Sequence, residues 1–165
     1  MFRENKYLIN FAKMILKNTT MKKILLLCGM MACLMAQAKQ VVVETARLSL
    51  VLDVTEGKTP QYVYFGSKLS ADELSHIQKP VEGRMDAYPA YGLNCPAEPA
   101  LAIRHADGNM STALAATGVE NVVETTGTVT RIHLLDAVYN TAVDLCYKSM
   151  NGVDMIEVWT EISNG

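Results

Sequence analysis

The sequence contains 165 residues, half of them hydrophobic, and its formal net charge at neutral pH is −2. This length suits one domain and excludes an ordinary barrel enzyme with its appended domains. Six of the fifteen basic residues precede residue 39, together with one acidic residue, so the remainder carries a net charge of −7. An acidic domain without a basic stripe is not expected to bind nucleic acid.

Residues 21–38 are predicted to be a helical bacterial signal peptide. They begin Met-Lys-Lys, continue with an apolar run from Ile24 to Met35, and end with small residues at Ala36 and Ala38, the spacing that signal peptidase recognises. The apolar run is shorter than the roughly 20 residues that a permanent membrane span needs. We therefore expect export to the periplasm or the extracellular space, with residues 39–165 as the mature domain.

Two alternatives concern this amino-terminal region. Residues 1–20 are interpreted as an over-extended gene start, with Met21 as the initiator, and a transcript 5′ end would decide between Met1 and Met21. A lipoprotein anchored through Cys33 is the other alternative to simple cleavage. It fits less well, because Met30 occupies the third position before that cysteine.

After the leader, the first segments are predicted to be β-strands. Residues 39–54 alternate between apolar and polar side chains, which is typical of one half-buried strand. A turn at Glu56-Gly57-Lys58 leads to an aromatic strand over residues 59–65.

One segment, residues 69–79, carries a helical signal. Ser70 and Glu73 have the spacing of a capping box, and Pro80 stops the helix. Its apolar face is small, so we expect a short surface helix or a loop.

From Ala100 onward the pattern predicts consecutive short strands. Predicted turns separate them at Asp107-Gly108-Asn109, Thr117-Gly118, Thr126-Gly127 and Asn151-Gly152. The last of these favours a type I′ turn between two antiparallel neighbours. The fold class is therefore all-β, an antiparallel β-sandwich. The last strand runs into a turn signal with nothing after it to pair, so we expect the sheet to continue in a longer protein. The predicted strands are residues 100–105, 113–117, 120–126, 128–135, 142–150 and 153–162.

The sequence offers no catalytic residue, metal site or cofactor site. A glycosidase needs two carboxyl groups about 5–10 Å apart, and no acidic pair stands out from the acids at strand ends and outward positions. His76, His105 and His133 are far apart and lack ligand spacing. Nucleophile-elbow, phosphate-binding and dinucleotide-binding motifs are absent.

Two cysteines remain after the leader. Cys95 and Cys146 would be able to pair in an oxidising compartment. Alternatively, both are buried thiols, since 127 residues can bury a core without a disulfide. Both alternatives stay open at this point.

The segment from Asp86 to Asp107 concentrates the unusual residues. Tyr88-Pro89 and Tyr91-Gly92 predict a stiff, turned backbone. Asp86, Tyr88 and Tyr91 are candidates for contact with a sugar or with a neighbouring domain, because aromatic rings on a stiff loop suit either role. The alternative is a structural crossover between sheets. Gly92, Asp107, Gly108, Asn151 and Gly152 are the predicted turn residues.

Four ordered blocks in this sequence resemble the amino-terminal domain of glycoside hydrolase family 36, the bacterial α-galactosidases. The resemblance extends from about Gln40 to the last residue. The tyrosine-proline block followed by the Asp-Gly turn is its most specific part. The blocks are Tyr62–Gly66 with Leu69; Ala87–Gly92; Glu98–Gly108; and Leu135-Asp136 through Asp144, Tyr147, Ile156 and Ile162–Asn164.

The resemblance implies part of a β-supersandwich that precedes a (β/α)₈ catalytic barrel. Family members are retaining hydrolases whose nucleophile and acid/base aspartates both lie in the barrel, so this chain is expected to be inactive alone. Its implied partner is that barrel, the implied substrate is an α-galactoside bound only through the barrel, and a homo-oligomer is possible for the full-length enzyme. Residues 67–84 are short where tetrameric relatives carry a longer insertion, which puts a contribution to a neighbouring active site in doubt.

A second hypothesis of a different class is a free-standing exported β-domain that binds carbohydrate or acts in adhesion. It is motivated by the export signal together with the tyrosine-rich segment.

Overall fold

The computed structural model describes residues 38–78, 85–92 and 98–164. The calls on residues 1–37 and on Cys95 lie outside the described residues. Among the described residues, no helix has the length and apolar character to cross a membrane. The described elements are β1 (Ala38–Glu44), β2 (Leu48–Thr55), β3 (Gln61–Ser67), α1 (Ala71–His76), β4 (Ala115–Glu124), β5 (Gly127–Asp136), β6 (Thr141–Met150) and β7 (Ile156–Asn164).

The strands form two antiparallel sheets, one of three strands in the order β1-β2-β3 and one of four in the order β4-β5-β6-β7. The predicted all-β sandwich is therefore confirmed. Alternate residues of both sheets enter one core, as period-two strands require. Its largest aliphatic members include Leu52, Ile132, Leu134, Val143 and Leu145, all 2% exposed or less.

The single strand predicted over residues 39–54 is wrong, because the chain folds there into the β1–β2 hairpin. Glu44 pairs with Ser49, so the four residues from Thr45 to Leu48 make the turn. The Thr45 hydroxyl accepts hydrogen bonds from the backbone N–H groups of Leu48 (3.0 Å) and Arg47 (3.4 Å). The Thr45 side chain thus stabilises this turn, whereas most tight turns contain glycine or asparagine.

The turn predicted at Thr117-Gly118 is wrong as well. β4 runs through it as one strand, and the register with β5 shifts between Ala116 and Gly118. Thr117 is the extra residue of a β-bulge, and its hydroxyl donates to the carbonyl of His133 at 3.2 Å. The two segments predicted on either side of Thr117-Gly118 are therefore one strand with a kink.

The predicted strand over residues 100–105 is absent from the described structure. Only Leu101 forms an isolated bridge, which is parallel to Ala90. The neighbouring segment contains Pro89, which has no N–H to donate, so a continuous ladder cannot form there. Its carbonyl instead accepts from the N–H of Ala100 at 2.8 Å.

The predicted antiparallel pairing of β6 and β7 is confirmed, but the type I′ turn between them is wrong. That turn needs positive φ at both central residues. Gly152 has φ 76°, whereas Asn151 is not among the described residues with positive φ. Five residues, Asn151–Met155, connect the strands. This longer loop brings Asp154 into contact with the β1–β2 turn of the first sheet. A two-residue turn would not include this residue.

The short helix was predicted in the right place. Ser70 caps α1: its side chain accepts from the N–H of Glu73, while the Glu73 carboxylate accepts from the N–H of Ser70 at 2.8 Å. The hydrogen bonds that the Ser70 N–H and the Ser70 hydroxyl (2.7 Å) donate to this carboxylate lower the pKa of Glu73. α1 buries none of its residues, so it is a surface element, as expected.

Candidate interdomain contact surface

An apolar cleft of ≈ 530 Å³ lies between edge strands β3 and β7. Among the described residues, its lining contains no acidic, basic or histidine side chain, and its only polar side chains are three tyrosines. A concave apolar surface of this kind is suited to packing against another apolar element. The lining residues are Leu50, Tyr62, Val63, Tyr64, Phe65, Met85, Tyr147, Ile156 and Val158.

The cleft exists because the four-stranded sheet extends beyond the three-stranded one. Val158 pairs with Tyr147 and Ile162 pairs with Val143, so all four side chains point to the inner face of their sheet. Tyr147 and Val143 on β6 are 1% and 0% exposed, but Val158 and Ile162 on β7 are 55% and 51% exposed. The inner face of β7 is thus uncovered among the described residues.

The floor of the cleft is a pair of tyrosines. The Tyr62 hydroxyl on β3 and the Tyr147 hydroxyl on β6 are hydrogen-bonded at 3.2 Å. Burial, followed by the hydrogen bond with Tyr62, raises the pKa of Tyr147. Both effects disfavour the phenolate of Tyr147, so this hydroxyl stays protonated at ordinary pH.

The beginning of the tyrosine-proline segment forms one lip of the cleft. The N–H of Tyr62 donates to the carbonyl of Met85 at 2.8 Å, and the N–H of Ala87 donates to Pro60 at 2.8 Å. The Asp86 carboxylate accepts from the side-chain amide of Gln61 at 3.1 Å. These bonds hold the segment against the start of β3 and leave Met85 51% exposed at the mouth.

The structure separates the two tyrosines that were predicted as surface contacts. Tyr88 is 8% exposed and belongs to the core, so its ring is not on the surface. The predicted surface position of Tyr88 is therefore corrected to a position in the core. Tyr91 is 46% exposed. Its N–H donates to the carbonyl of Leu101 at 2.9 Å, and its carbonyl accepts from the N–H of Thr112 at 3.0 Å, so its backbone is fixed on both sides.

Gly92 follows at a crowded position. Its φ is 94°, and a Cβ placed there would lie 2.7 Å from the Cβ of Ser111. Both the left-handed backbone and the close approach require glycine. Gly92 therefore has a structural role in this turn.

The Asp107-Gly108 turn belongs to a polar cluster. The sequence predicted the turn, but it did not predict that Tyr139 contacts it. The Asp107 carboxylate accepts from the N–H of Asn109 (2.9 Å) and from the Tyr139 hydroxyl (3.0 Å), and these bonds lower the pKa of Asp107. The Tyr139 ring stacks on His105 with centroids 3.5 Å apart. No local signal links Tyr139 to a turn some 30 residues earlier. Because these side chains contact one another, the cluster holds the turn at Asp107-Gly108 to the β5–β6 turn that carries Tyr139.

Charged residues cover the outer face of the four-stranded sheet. His133 lies 2.7 Å from Asp144, and Arg131 donates to Glu161 at 2.9 Å. Nowhere in the described part of the chain do three or more histidine, cysteine or acidic side chains form a metal-binding group. The ion pairs therefore stabilise a solvated sheet face.

Cys146 lies beneath these charges and is 0% exposed, with a free thiol. Burial, with the Arg131 charge acting in the opposite direction, raises its pKa to about 11. This agrees with the buried-thiol alternative. Cys95 lies outside the described residues.

Residues 58–165 match the model of the glycosyl hydrolase family 36 N-terminal domain. The chain belongs to this family. No sequence among the curated proteins matches it.

Solved structures share the fold of this family 36 N-terminal domain. The α-galactosidase AgaA of Geobacillus stearothermophilus superposes with a TM-score of 0.63 at 19% identity over 76% of this chain. The α-galactosidase of Lactobacillus brevis gives 0.61 at 14% identity over 76%, and the galactosidase domain of an α-galactosidase-sucrose kinase, AgaSK, gives 0.62 at 17% identity over 77%. The chain spans only 21–22% of these three proteins.

Proposed function

We propose that this chain is the non-catalytic N-terminal domain of an exported, α-galactosidase-like glycoside hydrolase, and that it packs on a catalytic (β/α)₈ barrel. Membership of the family 36 N-terminal domain is the observation that carries this proposal. The partner is the barrel, and an α-galactoside would be bound only there. No cofactor is needed for a hydrolysis that rests on two carboxylates.

The cleft supplies the contact surface in this proposal. Phe65, Met85 and Val158 expose 66%, 51% and 55% of their surface around one concavity. Apolar patches of this kind mark contacts between domains or proteins, since covering them removes unfavourable contact with water. Export is proposed from the leader sequence alone.

The alternative, a free-standing carbohydrate-binding domain, is less well supported. Sugar sites combine aromatic platforms with free polar groups, whereas the cleft walls are apolar and Tyr88 is buried. Titration of galactosides into the purified chain would test it. A tryptophan or tyrosine signal that does not change at millimolar sugar would exclude this alternative.

The first experiment on the favoured proposal is to read the genomic sequence beyond the codon of Gly165. We expect it to encode a barrel with two catalytic aspartates, in frame or after a disruption. A genuine stop followed by no such sequence in any frame would contradict the proposal. Hydrolysis of an aryl α-galactoside by the 165-residue chain alone would contradict it as well.

The second experiment uses the chain joined to that barrel. Phe65→Lys would place a charge in the cleft, and we expect a lower thermal midpoint of the whole enzyme together with reduced α-galactosidase activity. The matched control is Val138→Lys, at a position that is 78% exposed on the β5–β6 turn and does not line the cleft. Equal effects of the two substitutions would exclude the cleft as the contact surface.

A further inference from the structure

The loop between β6 and β7 contains an Asn-Gly dipeptide. Asn151 and Gly152 are both exposed and lie outside the two strands. The N–H of Gly152 has no hydrogen-bond acceptor among the described residues. Its φ is 76°, a conformation that glycine adopts without strain. Because residue 152 has no Cβ, the side chain of Asn151 can approach the Gly152 nitrogen closely.

The side chain of Asn151 is also weakly held. Among the described residues its amide makes one hydrogen bond, to the carbonyl of Thr125 at 3.3 Å. Asn109, on another exposed turn, is held at both ends of its side chain and is followed by methionine. Its amide donates to the Tyr139 hydroxyl at 2.7 Å, and its oxygen accepts from the N–H of Ser111 at 3.1 Å. Asn151 can therefore turn toward the next residue more easily than Asn109.

We propose that Asn151 is a self-modification site, at which the Gly152 nitrogen converts the asparagine into isoaspartate, and that this product releases Asp154 from the β1–β2 turn. Water is the only co-reactant. The proposal concerns a loop inside the chain and does not depend on the proposed function.

The chemistry is an intramolecular displacement followed by hydrolysis. The backbone nitrogen of Gly152 loses its proton and attacks the side-chain carbonyl carbon of Asn151, and the bond to Nδ2 breaks with loss of ammonia. The product is a five-membered succinimide, and holding the two groups next to each other is what makes its closure fast. Water then opens the ring at one of its two carbonyls. Opening at the main-chain carbonyl leaves isoaspartate, in which the backbone continues through the former side chain.

The product changes the loop in two ways. Its carboxylate cannot donate to the Thr125 carbonyl, and it places a negative charge beside that oxygen. The isoaspartate link also adds a methylene to a loop that the N–H of Met150 closes by donating to the carbonyl of Met155 at 3.3 Å. This loop carries Asp154, which accepts from the Arg47 side chain and N–H at 2.6 and 2.9 Å. Since hydrogen bonds are short and directional, we expect the altered loop to lose these contacts.

Peptide mapping by mass spectrometry tests the modification. After incubation of the purified 165-residue chain, we expect Asn151 to convert to the acid at least about tenfold faster at pH 8 than at pH 6, because only the deprotonated nitrogen attacks. A protein isoaspartyl methyltransferase should then methylate the product. Asn151→Gln is the matched control, since its longer side chain closes a less favourable ring. The map separates this site from Asn164-Gly165, the other such dipeptide in the chain.

Trypsin cleavage after Arg47 reads the release of Asp154. We expect the modified chain to be cleaved there at least about fivefold faster than the fresh chain, because proteolysis follows the population of the open turn. Asn151→Gln, incubated in parallel and shown to be folded by circular dichroism, should keep the rate of the fresh chain. Asp154→Ala without incubation should be cleaved as fast as the modified chain.

Four outcomes would overturn the proposal. They are an Asn151 that stays an amide at pH 8, conversion at equal rates at the two pH values, equal conversion of the Asn151→Gln variant, and a modified chain that trypsin cleaves no faster after Arg47.

Discussion

The hydroxyl groups of Tyr62 and Tyr147 lie 3.2 Å apart and join the two sheets beneath the apolar cleft. Tyr147→Phe removes this bond while keeping the ring, so we expect the free energy of unfolding to fall by about 1 kcal/mol. Urea denaturation of the two single variants and the double variant would measure it. Because the residues share one bond, Tyr62→Phe with Tyr147→Phe should cost less than the sum of the single changes, and strict additivity would contradict the coupling.

A second prediction concerns the contact of Asp154 with the β1–β2 turn. Its carboxylate accepts from the Arg47 side chain (2.6 Å), the Arg47 N–H (2.9 Å) and the Thr45 hydroxyl (3.0 Å). The hydrogen bonds from the Arg47 and Thr45 side chains are the main causes that lower the pKa of Asp154. We expect Asp154→Ala to lower the thermal midpoint and to increase proteolysis at that turn.

The pH dependence of this contact has a definite sign. A lowered folded-state pKa means that the carboxylate stabilises the fold above its unfolded pKa of about 3.9, and that this stabilisation is lost as the pH falls through the folded value. The difference in thermal midpoint between the unsubstituted chain and Asp154→Asn should therefore shrink below pH 4. Glu157→Gln, at an exposed position on β7, is the control. A difference that stays constant with pH would refute the assignment.

Asp136 gives a third prediction, because its buried carboxylate organises two loops. It accepts from the N–H groups of Ala113 (2.8 Å), Val138 (2.8 Å) and Tyr139 (3.3 Å). Burial alone would raise the pKa of Asp136, but these three donors lower it. We expect Asp136→Asn to reduce the free energy of unfolding by about 2 kcal/mol at pH 7, with a smaller loss near pH 3. Chemical denaturation at both pH values measures it, and an equal loss at both would be evidence against the ionised carboxylate.

Gly127 is the subject of a fourth prediction. It is buried at the start of β5, and a Cβ added there would overlap the carbonyl oxygen of Ser149 on β6. Since backbone must move to relieve that overlap, Gly127→Ala is expected to destabilise the domain by about 1–3 kcal/mol. Gly118→Ala is the matched control, because its nearest neighbour would be a His133 ring carbon at 3.7 Å, an ordinary contact. Similar unfolding midpoints for the two variants would contradict this reasoning.

A fifth prediction concerns the reactivity of Cys146. Burial raises its pKa from an ordinary value of 9.0 to about 11. The thiolate is the reactive species, so alkylation by iodoacetamide at pH 8 should be at least about a hundredfold slower in the folded chain than in urea. Peptide mapping by mass spectrometry would separate this site from the other cysteines. Rapid labelling of Cys146 in the folded protein would show that the site is accessible.

Local patterns were sufficient for the fold class and for several elements. The alternation of Ile132 and Leu134 with polar neighbours predicts β5, and the spacing of Ser70 and Glu73 predicts the capped helix α1. These signals are readable because period-two burial and helix capping depend on residues a few positions apart.

Tertiary contacts decided the rest. Asp154 binds the turn at Thr45 from 109 residues away, and no periodicity in residues 39–54 can indicate that contact. Tyr88 is a core residue because two sheets meet around it, although its proline-rich neighbourhood resembles a surface loop. The cleft between β3 and β7 arises from a four-stranded sheet facing a three-stranded one, and the relative width of two packed sheets is set by their long-range pairing.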